Sequence, residues 1–111
     1  MVVDGEIYTI LKGKATLQSR VYYSDLPRNP ETVGNILDEI NRYEHSKGKP
    51  MLSAIVVSKT TRQPSSGFYD CAETLGLWHR GENKELFWIK QLNAVFKEYG
   101  KTTKSEVKLQ K

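Results

Sequence analysis

The residues able to do chemistry in this chain are few and scattered. Cys71 is the lone cysteine, and the two histidines, His45 and His79, stand far apart with no Cys-x-x-Cys or His-x-x-x-His spacing around them. A tetrahedral metal site needs such closely spaced nitrogen and sulfur ligands, so no metal is expected. Asp70 and Glu73 are one helical turn apart and offer oxygen ligands to a hard cation, but acidic pairs on short helices are ordinarily solvated. Gly67 is an isolated turn or cap residue rather than part of a phosphate-cradling glycine loop. A lone cysteine on an apolar helical face reads as a small core residue, since a nucleophilic thiol needs a histidine or another cation beside it. No catalytic residue and no cofactor is expected.

Binding chemistry is better represented. Arg20, Tyr22, Tyr23, Arg28, Lys59, Arg62 and Ser65 combine guanidinium forks, which grip phosphates or carboxylates, with rings on which bases can stack. They form the candidate nucleic-acid surface, with DNA as the expected polymer. Trp78, His79 and Arg80, together with Asp38, Glu39 and Arg42, form a second set suited to a protein partner. The net charge of +4 is concentrated at one end. Residues 97–111 carry five lysines against two glutamates, which leaves the remaining chain with 12 basic and 11 acidic side chains. Lys101 and Lys104 of that basic stretch can strengthen contact with any polyanion by counterion release, without recognising sequence.

At 111 residues the chain is expected to hold one domain, residues 1–99, followed by a flexible basic tail over 100–111. No apolar run is long enough for a membrane span, and the N-terminus lacks the pattern of a secretory signal. With an unpaired cysteine, a soluble protein of the reducing cytoplasm is expected.

The elements that must position these residues are legible from periodicity and caps. Asp4 can cap a first helix containing Ile7, Ile10 and Leu11, weakened at Gly13. Ser19–Tyr23 reads as extended and Ser24–Leu26 as one helical turn before Pro27. Asn29-Pro30-Glu31 opens the longest clear helix, with Asn29 as cap and Pro30 at the first position. Val33, Ile36, Leu37, Ile40 and Tyr43 form its apolar stripe, Gly48 and Pro50 stop it, and Glu31, Asp38, Glu39 and Glu44 make its outer face acidic. Leu52–Ser58, apolar and rich in β-branched residues, predicts a buried central strand. Lys59–Pro64 then forms a hairpin loop or wing, Ser65 or Ser66 caps a helix over 68–75 ended by Gly76, and a last helix spans 83–99, closed by Gly100. The fold class is α+β.

That order of helix, short strand, short helix, long helix, strand and basic turn resembles a winged-helix domain, which implies DNA binding. Val21-Tyr22-Tyr23-Ser24-Asp25-Leu26, Val33-Gly34-Asn35-Ile36-Leu37 and Pro50-Met51-Leu52 are similar to the DNA-binding domain of the alkylguanine alkyltransferase family and its alkyltransferase-like relatives. That family carries a Pro-Cys-His-Arg motif where this chain has Pro50-Met51-Leu52-Ser53, so alkyl transfer is not implied. The segment Pro50–Lys59 with Pro64-Ser65-Ser66-Gly67-Phe68 more closely resembles a group of small uncharacterised bacterial, phage or mobile-element proteins. That resemblance spans most of residues 20–96 and implies a setting without implying a reaction. The alternative to DNA binding is a module that inhibits or assists a nucleic-acid enzyme by contact with protein.

Overall fold

A computed structural model describes residues 3–109, with side chains through Gly100. Helix α1, Gly5–Thr16, starts where the Oδ1 of Asp4 accepts the Ile7 amide at 3.1 Å, and it runs through Gly13 without interruption. Strand β1, Val21–Tyr22, and a 3-10 turn at Tyr23–Asp25 match the expected extended segment and single turn. Helix α2, Pro30–Ser46, has Pro30 at its start, although the Asn29 side chain makes no capping hydrogen bond. Its end is set at Gly48, whose φ of +74° is a left-handed conformation that glycine adopts without steric cost. Helix α3, Ser66–Thr74, follows, and helix α4, Lys84–Leu109, continues past Gly100 where a stop was expected.

The expected central strand is different in kind. Leu52–Ile55 is a 3-10 turn, and only Val56–Val57, β2, is extended. The segment is as buried as expected, with Leu52, Ala54, Ile55 and Val56 at zero exposure. A seven-residue strand in such a place would need partners for its amides and carbonyls along its length. Among the described residues β1 is the one strand beside it, pairing in parallel with Val21 opposite Val56 and Tyr22 opposite Val57. A parallel pair requires a crossover connection, and α2 lies within that crossover.

Side chains supply the missing partners. Asn41, itself buried, accepts the Ser53 amide at 3.1 Å through Oδ1 and donates from Nδ2 to the Ser53 hydroxyl at 2.8 Å. The Met51 amide donates to the Gln91 side-chain carbonyl at 3.0 Å, and the Trp88 indole donates to the Ala54 carbonyl at 2.9 Å. Helices α2 and α4 are therefore fastened to one short stretch of irregular backbone. Ile7, Leu11 and Ala15 of α1, Ile36, Leu37 and Ile40 of α2, and Leu92 and Val95 of α4 close the core around it.

The Lys59–Pro64 segment is also reshaped. β2 is followed directly by a turn and then α3, so the turn does not join two paired strands as a hairpin loop would. It closes on itself instead: the Ser58 amide donates to the Gln63 carbonyl at 2.9 Å, and the Arg62 amide to the Ser58 carbonyl at 2.8 Å.

Asn41→Ala is expected to destabilise the protein by about 2–4 kcal/mol, because it opens a cavity and leaves the Ser53 amide buried without an acceptor. Ser53→Ala keeps that amide bonded and is expected to cost about 1–2 kcal/mol. Urea denaturation of both variants decides the point, since equal losses would show that the backbone bond is not the important one.

Candidate functional site

Arg20, Tyr22, Lys59 and Arg62 are brought together where β1 meets the turn after β2. Arg20 lies just ahead of β1, and the pairing of Tyr22 with Val57 delivers the chain into the turn beside the tyrosine ring. The Lys59 ammonium lies 5.5 Å and the Arg62 guanidinium 5.7 Å from the ring centre of Tyr22. Arg20, Tyr22, Val57 and Arg62 line a groove of about 210 Å³ there. Arg62 sits at φ +61°, in the left-handed region where a side chain costs about 1 kcal/mol or more. Its backbone is fixed by the bond to Ser58, and its Nε donates to the Lys59 carbonyl at 3.3 Å.

The charges in this cluster are uncompensated. Among the described residues, the cations that meet carboxylates are Arg28, Lys47, Lys49 and Arg80; Arg20, Lys59 and Arg62 meet none, as is also true of Lys12, Lys14, Arg42, Lys84, Lys90 and Lys97, but these three gather about one ring and groove. Arg28 was expected on the same surface but is committed elsewhere, 2.9 Å from both Asp4 and Glu6. The amide of Ile7, and then Arg28, hold the Asp4 carboxyl below its usual range. The guanidinium thus fastens the loop before α2 to the start of α1.

Tyr23 and Ser65 also serve architecture. The Tyr23 hydroxyl donates to the Ser65 Oγ at 3.1 Å and accepts the Ser65 amide at 3.0 Å, tying the turn after β1 to the start of α3. They border a separate groove of about 550 Å³ shared with Ser24, Pro30 and Val33. The side chains of Lys101 and Lys104 lie outside the described residues.

The residues expected to meet a protein do not make one surface. Trp78 is 3% exposed and packs on Tyr69 with ring centres 5.5 Å apart, so it belongs to the core. His79 is exposed beside it, its amide donating to Glu82 at 2.8 Å. Arg80 is exposed but reaches Glu73 at 3.3 Å and Asp70 at 3.7 Å, which occupies the acidic pair considered for a cation. Among the described residues no cluster of histidine, cysteine and carboxylate ligands could hold a metal ion. On α2, Glu39 and Arg42 are exposed, while Asp38 is half-buried and burial raises its carboxyl despite the charge of Arg42.

Cys71 is buried, with its Sγ 3.9 Å from the Asn41 amide nitrogen. Burial, and then the charge of Asp38, push its thiol up to about 11. A thiol so protonated at neutral pH is a poor nucleophile.

Two polar residues escaped the sequence reading. Glu44, assigned to the exposed face of α2, has no exposure at all, and neither does its neighbour in role, Asn41, beyond 1%. The Tyr99 hydroxyl donates to Glu44 Oε1, and the Lys47 ammonium lies 3.7 Å from Oε2. The available signal was spacing: Ile36, Ile40 and Glu44 recur every four residues, as do Leu37 and Asn41, so both polar residues continue the buried stripe.

The chain gives no significant match to protein-family models, to curated proteins or to solved structures.

The buried thiol and phenol set an alkaline limit on stability. The folded state holds the Cys71 proton more tightly than the unfolded chain, whose thiol titrates near 9, so it binds more protons between about pH 9 and 11. The stability contributed by the protonated thiol is complete below that window and is lost across it. Tyr99 acts with the same sign from about pH 10 upward, its hydroxyl raised by burial and by Glu44. Unfolding free energy from urea melts is expected to fall as pH rises above 9, with Cys71→Ala flattening the first part of the decline and Tyr99→Phe only the later part. A wild-type curve flat to pH 11 would refute this assignment.

Proposed function

We propose that this chain is a non-catalytic nucleic-acid-binding module, with DNA as the expected polymer. The observation that carries the reading is the set of three cations without carboxylate partners, Arg20, Lys59 and Arg62, arranged about the half-buried ring of Tyr22. Phosphates would supply the compensation that the protein withholds there and provides at Arg28 and Arg80. A winged-helix-like relation rests on the element order up to β2 alone, since β1 and β2 pair in parallel and the Lys59–Gln63 turn leads into α3 rather than into a second wing strand. The buried, unpaired Cys71 fits a reducing cytoplasmic setting, and the bacterial, phage or mobile-element context rests on the resemblance alone.

A protein-binding module that inhibits or assists a nucleic-acid enzyme is the second reading. It is favoured by Leu86 and Ile89, which remain 53% and 40% exposed on α4. Leu86 borders a groove of about 510 Å³ with Leu77 and Phe87.

Fluorescence anisotropy with labelled duplex and single-stranded oligonucleotides, using the full chain, tests the first reading. The triple variant Arg20→Ala, Lys59→Ala, Arg62→Gly removes the three charges, and glycine suits the left-handed backbone at position 62. Its affinity is expected to fall at least about tenfold, and the slope of log K against log salt to become shallower by roughly 2. Unchanged affinity and slope in a folded triple variant would sink the reading.

A further inference from the structure

We infer that Tyr22 is a stacking platform for one base of a single-stranded nucleic acid, with Arg20, Lys59 and Arg62 holding the flanking phosphates. This rests on the nucleic-acid reading above and specifies the form of the polymer.

The two helices nearest to a reading role, α2 and α3, do not offer the usual route into duplex. A duplex reader inserts a helix or ribbon with cationic flanks into a groove. The solvent face of α2 presents Glu31 and Glu39 with Arg42, and α3 exposes Asp70. Neither helix offers phosphates a clear cationic face. Arg20 and Arg62, both unpaired, line instead a groove of about 210 Å³, with Lys59 over the ring of Tyr22. A pocket of that size accommodates a fragment of one nucleotide, and the backbone of a single strand can bring its phosphates to the rim as the base turns inward.

Tyr22 is the ring the fold leaves free for this role. The hydroxyl of Tyr23 is bonded to Ser65 and that of Tyr99 to Glu44, so those tyrosines are structural. Tyr69 is buried against Trp78 and Phe68. Tyr22 is half-buried at the edge of a two-stranded sheet, packed in part against the core, with Lys59 and Arg62 beside its ring. At 5.5 and 5.7 Å from the ring centre these cations lie at the outer range of cation–π contact, loosely enough held for a base to enter the stack.

Arg62 is held in place by its own turn; like Gln18, it is a non-glycine residue in the left-handed region. Glycine or asparagine would hold φ +61° at less cost, yet this strained position carries an arginine whose backbone and Nε are both tied down. Strain kept by such bonds presents the guanidinium to the groove before any ligand arrives. Arginine planes also extend aromatic stacks with bases.

The test compares wild type, Tyr22→Leu and Tyr22→Phe for binding to a short oligothymidylate, to the same oligomer carrying 2-aminopurine, and to a duplex of equal length. Tyr22→Leu is expected to weaken single-strand binding roughly tenfold while leaving duplex binding unchanged, and Tyr22→Phe to retain both. Wild-type protein is expected to change the 2-aminopurine fluorescence on binding, a reading that needs no variant to fold. Equal losses of single-strand and duplex affinity in Tyr22→Leu, or single-strand binding that leaves 2-aminopurine unaltered, overturn the stacking role while the cationic interface stands. Absence of binding to either polymer by wild type removes both readings.

Discussion

The arrangement of the helices depends on how the backbone of Met51–Ile55 is satisfied. This stretch lies at the centre of the molecule, where an unpaired amide or carbonyl costs about 1–3 kcal/mol. A sheet would ordinarily supply the partners, but β1 reaches only Val56 and Val57. Asn41 from α2 and Gln91 and Trp88 from α4 complete the set with directed bonds. Those bonds fix where each helix sits along the segment, which apolar contact alone does less sharply. The position of the Tyr22 groove follows from the same segment, because β2 is its continuation and carries Val57 against Tyr22.

A second polar contact works on the opposite flank. Glu44 is buried where α1, α2 and α4 approach one another, held by the Tyr99 hydroxyl with Lys47 nearby. Lys47 also lies 4.3 Å from the ring centre of Tyr43, and Tyr43 meets Tyr8 edge to face. A buried carboxylate with few donors gains little net stability, yet removing one donor is costly because the charge stays behind. The contact therefore acts chiefly as a constraint on register: α4 can dock only where Tyr99 meets Glu44.

Most helix limits were readable in the sequence, because they are set locally, although the Asn29 side chain caps nothing and α4 runs past Gly100. The Asp4 cap, Pro30, Gly48 and Gly76 act within a turn of their own position, and each does so in the structure. The state of Leu52–Ile55 was not readable, since an apolar run shows burial while its backbone geometry depends on which neighbours offer hydrogen bonds. Those neighbours, Asn41 and Gln91, lie 12 and 40 residues from their partners. Of the expected nucleic-acid residues, Arg20, Tyr22, Lys59 and Arg62 converge, while Arg28, Tyr23 and Ser65 are engaged in holding the fold. Residue type could not separate the two groups, because an arginine suited to phosphate is equally suited to Asp4.

Clustering of unpaired charge, rather than its total, is what distinguishes the candidate surface. The portion before residue 97 has one more basic than acidic side chain, which by itself gives no reason to expect a polyanion. Yet the carboxylates are distributed unevenly. Asp4 and Glu6 answer Arg28, Glu44 answers Lys47, Glu98 answers Lys49, and Asp70 and Glu73 answer Arg80; of the described cations that meet no carboxylate, Arg20, Lys59 and Arg62 are the ones gathered about one ring and groove, whereas Lys12, Lys14, Arg42, Lys84, Lys90 and Lys97 lie along the helices. At distances beyond about 10 Å salt screens exposed charges from one another, so a nearly neutral body can still present a locally cationic face. The backbone strain at Arg62 lies on that same face, where a neutral, less strained residue would have served the turn better. Three unpaired cations meet one aromatic ring at a small groove, a convergence absent from the larger groove beside Tyr23, whose Arg28 is bound to carboxylates.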